Sequence, residues 1–283
     1  MAVTLITGCS SGFGLLAALE FARKGDTVFA TMRNTAKAGE LEQRAQQEGL
    51  TVRILPLDVR DEASVASAVR QTVTDAGRID VLVNNAGIGI HGPVEETTID
   101  DVQEVFETNV FGALRVIRHV APVMREQRSG TIVNVSSLAG RVAAPFSGIY
   151  AASKYALEAI SEALHYELHP FGVRVVVIEP GGFETRFGEN RRIAQGFTEG
   201  SPYLDLERRF QEAMGRLSIG GTEGGQRGDP QVVAETIYRA VHDPQPKLRY
   251  LVGQDAEMIG GLRRQLDDEQ FEQTMRQALD FWD

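Results

Sequence analysis

The sequence predicts an α/β fold with a doubly wound, parallel sheet, on three observations. Short β-rich runs alternate with longer helical stretches through the first 180 of its 283 residues, the rhythm of repeated strand–helix units. The run at 173–178 is almost continuously apolar, as in a strand covered on both faces. The first run leads directly into a glycine-rich turn and a helix, the order a phosphate-binding unit requires.

Residues 3–7 read as a strand, followed by a helix to about Lys24. Further strands are expected at 27–31, 52–57, 80–83, 131–135, 173–178 and 248–252, seven in all. Helices are expected at 37–48, 62–75, 99–126 and 150–169, so that a Rossmann-like sheet carries helices on both faces. After Pro180 the rhythm breaks into a polar insertion, 181–229, with a helical candidate at 204–217. The insertion ends in Gly220, Gly221, Gly224, Gly225 and Gly228. A connection this long inside one domain is usually functional, and a substrate lid is the expected role. A C-terminal helical extension occupies 254–283. One domain, 1–283, accounts for the whole chain.

The 29 basic and 39 acidic residues give a net charge of −10. A chain this acidic has no basic stripe for a phosphate backbone, so nucleic acid is excluded as a main partner. Cys9 is the single cysteine, so no intrachain disulfide forms. No stretch approaches the ~20 apolar residues of a membrane span. No signal peptide is expected ahead of the first strand, and a cytoplasmic location follows as the default.

Thr7-Gly8-Cys9-Ser10-Ser11-Gly12-Phe13-Gly14 lies between the first strand and the first helix. Glycines there let the backbone approach a pyrophosphate without a Cβ in the way, and the helix start adds free N–H groups. Cys9 inside the loop is a redox switch or a small buried residue. The second strand ends in Ala30-Thr31-Met32-Arg33-Asn34, without the acid that would bond a ribose 2′-hydroxyl. Arg33 either holds a 2′-phosphate, which would select NADP over NAD, or is a solvated surface arginine.

Tyr150 and Lys154 stand at i, i+4 near the start of a helix, on one face. A free phenol ionises near ~10 and is a poor acid or base at neutral pH. A neighbouring ammonium lowers that value and makes the pair a candidate proton donor and acceptor. Ser136 and Ser137 end the fifth strand, at the sheet edge where such folds bind ligands. One of them holds a substrate oxygen, or both simply cap the strand. Asn84-Asn85-Ala86-Gly87 ends the fourth strand at the same edge. Asn109, in the long helix, holds a water or distorts the helix locally; taken alone it reads as structural.

Together, 7–14, Asn84 to Gly87, Asn109, Ser137 and Tyr150-x-x-x-Lys154 resemble the short-chain dehydrogenase/reductase family, in matching order across 3–185. Pro180-Gly181-Gly182-Phe183-Glu184-Thr185 is similar to that family's segment after the sixth strand. The resemblance implies an oxidoreductase that interconverts an alcohol with a ketone or aldehyde by hydride transfer. Ser137 rather than Ser136 would be the catalytic serine, and Tyr150 the general acid/base. Lys154 would lower its pKa and bond the nicotinamide ribose, and Asn109 would anchor a water. Gly8, Ser10, Ser11, Gly12, Phe13 and Gly14 would cradle the cofactor. Asp58 and Val59 would contact the adenine, and Asn85, Ala86 and Gly87 the riboses. Pro180, Gly181, the Phe183 backbone and Thr185 would fix the nicotinamide end.

Segments 7–16, 29–33, 145–154 and 248–250 are similar to the estrogenic 17β-hydroxysteroid and retinol dehydrogenase branch, whose arginine placed like Arg33 favours NADP. That branch's steroid enzyme carries a histidine in the insertion, and this chain has none between His169 and His242. A homodimer or homotetramer is implied.

The expected substrate is a small apolar carbonyl or alcohol, with Ile88, Ile90, Leu138, Phe146, Phe183 and Phe187 lining its pocket. Phe183 and Phe187 serve equally well as packing of the insertion. His91 contacts substrate or is merely exposed. His165 and His169 lack the glutamate and third ligand of a metal site, so no metal is expected. Trp282 docks on a neighbouring subunit or frays. A non-catalytic NADP(H)-sensing protein is the alternative, but a sensor has no need of Asn109, Ser137, Tyr150 and Lys154 together. An enoyl reductase would use a longer tyrosine–lysine spacing.

Overall fold

A computed structural model describes residues 1–189, 191–216 and 228–281. The strands are β1 (Val3–Ile6), β2 (Thr27–Met32), β3 (Val52–Pro56), β4 (Val81–Asn84), β5 (Ile90–His91), β6 (Gly130–Val135), β7 (Val173–Pro180), β8 (Arg192–Ile193) and β9 (Arg249–Val252). The helices are α1 (Gly12–Arg23), α2 (Gly39–Gln47), α3 (Glu62–Ala76), α4 (Ile99–Phe106), α5 (Ala113–Gln127), α6 (Gly148–Leu168), α7 (Arg186–Glu189), α8 (Leu204–Arg216), α9 (Gln231–His242), α10 (Gln254–Gln265) and α11 (Asp268–Leu279).

Seven strands form one parallel sheet in the order β3-β2-β1-β4-β6-β7-β9. The seven expected strands are these seven, with ends shifted by one or two residues. The order reverses between β1 and β4, so a crevice opens there at the carboxyl ends of the strands. Alternate strand residues face opposite sides. Ile6, Val83, Val133 and Val176 pack against α1, α2 and α9 through Leu15, Leu41, Val233 and Ile237. Leu5, Leu82, Ile132 and Val175 pack against α3 and α5 through Val65, Val69, Val116 and Met124. Burying both faces is why β4 and β7 contain almost no polar residue before their last positions.

The structure departs from the sequence reading in three places. The expected helix 99–126 is divided by a π-helical turn at Glu107–Gly112, between α4 and α5. Such a turn fits one extra residue into a helix and re-aims a side chain; here that side chain is Asn109. Helix α9 was not anticipated, although Val233, Ile237 and Val241 recur at helical spacing and pack on α1. The C-terminal extension is two helices, because Asp267 forms a capping box with Gln270 and starts α11 afresh.

The insertion is pinned to the segment before α4. β5 and β8 pair as a short parallel ribbon. Asp101 takes part in a capping box with Thr98 and also accepts from the Gln195 N–H at 2.9 Å and its amide at 3.0 Å. Tyr203 donates to Glu95 at 2.6 Å, and Ser201 to Glu96 at 2.6 Å. Helix α8 completes a separate apolar cluster in which the Phe210 ring lies 5.9 Å from Phe146 and 5.2 Å from Phe281. Within the C-terminal extension, α11 therefore covers the insertion, while α10 packs on β9 of the sheet. Leu217, Gly220, Gly221, Gly224, Gly225 and Trp282 lie outside the described residues.

Phe210→Ala should loosen this cluster selectively. Truncating a buried phenylalanine costs about 3 kcal/mol, so hydrogen exchange in α8 should speed up about a hundredfold, with β1, β4 and β6 unaffected. Equal acceleration in the sheet would show that the insertion and the sheet unfold together.

Candidate active site

Where β1 ends, Thr7, Gly8 and Asn85 form a brace between two strands. The Asn85 amide donates to the Thr7 carbonyl at 2.9 Å and to the Gly8 carbonyl at 3.1 Å. The Thr7 hydroxyl accepts from the Asn85 and Ala86 N–H groups, each at 3.0 Å. Gly8 has φ +74, and a Cβ there would meet the Ala86 Cα at 2.8 Å. A Cβ on Gly14 would sit 2.4 Å from the Asn85 amide nitrogen and 2.5 Å from the Gly8 carbonyl oxygen. Both positions require glycine because backbone passes against backbone. The Asn85 side chain thus holds the loop, while the adjacent Asn84 bonds Asn134 at 2.9 Å inside the sheet.

Cys9 is fully buried in this loop, and burial pushes its thiol up to about 12. A thiol held in that form is a packing residue and not a redox switch. Arg33, just past β2, is exposed, without an ion-pair partner among the described residues. Asp58, expected at the adenine, accepts from Arg60 through two side-chain bonds at 2.8 and 3.0 Å. Arg60 first, and Arg33 at longer range, hold its carboxyl below the usual range. Val59 packs against Gly112 of the π turn.

Ser137, Tyr150 and Lys154 converge at the carboxyl ends of β6 and β7. The Ser137 hydroxyl accepts from the Ala139 N–H at 3.1 Å and lies 3.4 Å from the Pro180 carbonyl. The same hydroxyl also lies close enough to the Tyr150 phenol to favour the ionised form. Ser136 faces away, buried beside Gly140 and Glu158. The Lys154 ammonium donates to the Val135 carbonyl at 2.9 Å and lies 5.7 Å from the Tyr150 ring centre.

The i, i+4 spacing leads one to expect a lowered phenol. The structure shows the reverse: burial pushes Tyr150 up to about 12, and the Ser137 hydroxyl opposes it only in part. Burial likewise brings Lys154 down to about 8, against the pull of Glu158. In both groups removal from water outweighs the neighbour that opposes it, the Ser137 hydroxyl for Tyr150 and the Glu158 carboxylate for Lys154.

Asn109 is buried in the π turn. Its amide donates to the Ile88 carbonyl at 3.0 Å and to Ser153 at 3.0 Å, and its oxygen accepts from the Ile88 N–H at 2.9 Å. Both amide hydrogens are thus engaged by the chain itself, and Asn109 fixes the strand-to-loop exit at Gly87 and Ile88.

Of the six expected pocket residues, three are packed elsewhere. Phe183 is buried under the glycine loop, its ring edge-on to Phe13 at 5.7 Å. Phe146 belongs to the cluster around α8, and Ile90 packs with Val105 and Ala194. Phe187 is different: its ring lies 5.6 Å from that of Tyr150 and covers Gly89. Ile88 and Leu138 are half-buried at the same edge. His91 is not an exposed loop residue. It is buried against Phe146 and Phe197 and contacts Glu207 of α8 at 3.0 Å. Desolvation first, and then Arg191, lower its pKa.

Asp255 is a further residue of the site that sequence reasoning missed. From the first turn of α10 it accepts from the Gly182 N–H at 2.7 Å, and a Cβ on Gly181 would strike it. It fixes the turn that carries Gly181, Phe183 and Thr185. An acid directly after Gly253-Gln254 was the available signal, but nothing local says that α10 returns to β7.

Comparison with known proteins agrees with this arrangement. Residues 2–196 match the family model described as short chain dehydrogenase. This chain belongs to the short-chain dehydrogenase family. It is an oxidoreductase of that family, with a Rossmann-like fold. It is 38% identical over 279 residues to 17-beta-hydroxysteroid dehydrogenase type 1 of Homo sapiens, covering 94% of this chain and 81% of the relative. It is 36% identical over 252 residues to 3-ketodihydrosphingosine reductase of Bacteroides thetaiotaomicron, covering 89% and 87%. Among solved structures, a short chain dehydrogenase/reductase from Burkholderia phymatum in complex with NAD is similar with a TM-score of 0.78 at 27% identity, covering 96% of this chain and 95% of that one.

The close approaches in the brace predict a sharp contrast between two glycines. Gly14→Ala should lower stability by about 1–3 kcal/mol through overpacking, read as a drop in the denaturant midpoint. Gly39→Ala, with nothing within 4 Å of the added methyl, should leave the midpoint unchanged or raise it by up to about 1 kcal/mol.

Proposed function

We propose that this short-chain dehydrogenase is an NADP(H)-dependent oxidoreductase that interconverts an apolar ketone or aldehyde with its alcohol. The observation that carries the reading is the Ser137–Tyr150–Lys154 group, placed beside a glycine cradle at the reversal of strand order. The residues present fit a nicotinamide dinucleotide. The cradle is closed to any Cβ at Gly8 and Gly14, and Arg33 offers an exposed cation at the end of β2 without an ion-pair partner among the described residues. The similar Burkholderia structure was solved with NAD; the preference for the phosphorylated form rests on Arg33 and on the missing acid at that strand end.

Bound in the crevice, the nicotinamide would supply or accept the hydride. The chain's own residues do the rest. Gly8, Ser10, Ser11, Gly12, Phe13 and Gly14 would hold the phosphates, with Asp58 and Val59 toward the adenine and Asn85, Ala86 and Gly87 along the ribose side. Pro180, Gly181, the Phe183 backbone and Thr185 would orient the nicotinamide end. The Ser137 hydroxyl would hold the substrate oxygen, and the Tyr150 phenol would give it a proton in reduction. Lys154, with one N–H on Val135, has two left for ribose hydroxyls. Asn109 positions Ile88 and the helix carrying Lys154 through Ser153.

Ile88, Leu138 and Phe187 would contact an apolar substrate, with 181–229 acting as a lid. The relatives named for a steroid and for a sphingoid ketone leave the substrate as an apolar carbonyl class. No helix among the described residues is long and apolar enough to cross a membrane; work in the cytoplasm is part of this reading. So is a homodimer or homotetramer, supported by the exposed Phe111, Tyr155 and Tyr166 on the turn before α5 and on α6.

Tyr150→Phe should lower turnover about a thousandfold, the scale of general acid–base catalysis, with cofactor affinity nearly unchanged. Wild-type turnover in that variant would overturn the role given to Tyr150, whereas tight cofactor binding by the unaltered chain without turnover of any apolar carbonyl would favour a non-catalytic sensor. The two directions should respond oppositely to pH. A phenol near 12 is protonated throughout the working range, so oxidation, which needs the base, should rise with pH. Reduction should be flat at neutral pH and fall above about 8, where Lys154 loses its charge. Steady-state profiles in both directions check this.

A further inference from the structure

The 2′-phosphate reading names one cation, Arg33, yet the rim of the crevice holds two more and an acid between them. A cleft of about 420 Å³ is lined by Ser10, Ser11, Lys37, Gly39, Glu40 and Arg186. Ser10 and Ser11 belong to the glycine loop, and Lys37 and Glu40 to the turn and helix after β2. Arg186 comes from the opposite side, one residue after Thr185, at the start of the insertion. Its guanidinium donates to the Glu40 carboxylate at 2.7 Å, closing a strap across the cleft.

Three properties suit this strap to exchange partners. Both side chains are substantially exposed, 58% for Arg186 and 38% for Glu40, and an exposed ion pair is weakly held. Lys37, on the same rim, is exposed and has no ion-pair partner among the described residues. Ser11 occupies the N-cap of α1 without using its side chain as a cap, so its hydroxyl is available in the cleft. A carboxylate brings one negative charge, whereas a phosphate monoester brings about −1.5 to −2 and three acceptor oxygens. Guanidinium also pairs with phosphate through two parallel bonds.

We propose that Arg186 and Glu40 form a latch across the cofactor cleft, and that a 2′-phosphate takes the place of Glu40 on Arg186, with Lys37 as its second cation. The inference rests on the NADP reading above and extends it. Without the phosphate Glu40 holds Arg186 over the subsite and opposes the phosphate's entry, while the exchange draws the start of the insertion onto the cofactor. A cofactor without the 2′-phosphate leaves the strap on Glu40. Cofactor selection is thereby shared between a fixed arginine after β2 and one carried by the insertion that also bears Phe187 over Tyr150.

The test is fluorescence titration of the full chain with NADPH and with NADH. Arg186→Ala should weaken NADPH about tenfold or more, the loss of a charge-assisted pair, with NADH within about twofold. Glu40→Ala should tighten NADPH, and that gain should vanish in the Arg186→Ala background. A Glu40 effect that persists without Arg186 would mean simple repulsion and overturn the latch. Equal losses for both cofactors in Arg186→Ala would overturn the assignment to the 2′-phosphate. Arg33→Ala separates the two levels of the claim. NADPH weakened there but not in Arg186→Ala leaves the cofactor reading standing and removes the latch. Equal wild-type affinity for both cofactors, unchanged in either arginine variant, removes both.

Discussion

Asn85 ties the carboxyl ends of β1 and β4 together, and much of the site depends on that contact. One amide nitrogen bonds the carbonyls of Thr7 and Gly8, while the Thr7 hydroxyl takes the N–H groups of Asn85 and Ala86. These groups would otherwise be unpaired at a partly buried strand end, at a cost comparable to a lost hydrogen bond each. Satisfying them within the protein fixes the loop before any ligand arrives. It also leaves no room for a Cβ at Gly8 or Gly14, which is why α1 can begin directly at the crevice.

A second set of constraints brings Ser137, Tyr150 and Lys154 together. The π turn turns Asn109 toward Ile88 and Ser153, linking the exit of β4 to helix α6. Helix α6 in turn delivers Tyr150 and Lys154 to the end of β6, where Ser137 meets the phenol and Val135 the ammonium. Burial governs the protonation of both, raising the phenol and lowering the ammonium. A phenol so placed stays protonated at neutral pH.

The insertion is anchored at one end more firmly than at the other. Its distal part is held by the β5–β8 ribbon, by Asp101, by His91 with Glu207, and by a phenylalanine cluster completed by the C-terminal helices. Its proximal part carries Phe187, which lies against Tyr150 and Gly89, and Arg186, held to Glu40 by an exposed ion pair. The firm end defines where the insertion sits, and the lightly held end lies over the reactive groups.

What the sequence determined by itself was whatever rests on local pattern. Seven runs rich in apolar residues marked the seven strands of the sheet, because strands covered on both faces, such as β4 and β7, carry few polar residues. The glycine spacing and the Tyr150–Lys154 interval were legible because main-chain geometry and helix periodicity fix them within a few residues, while the choice of Ser137 over Ser136 came from the family resemblance. Tertiary structure decided the matters that depend on residues far apart in the chain. Phe183 and Phe187, four positions apart, went to opposite fates because one faces Phe13 and the other Tyr150. His91 became buried because Glu207 and Phe146 close over it, 116 and 55 positions away. Asp255, the Arg186–Glu40 strap and the direction of the Tyr150 shift were likewise invisible, since burial and long-range pairing are properties of the packed molecule and not of any segment.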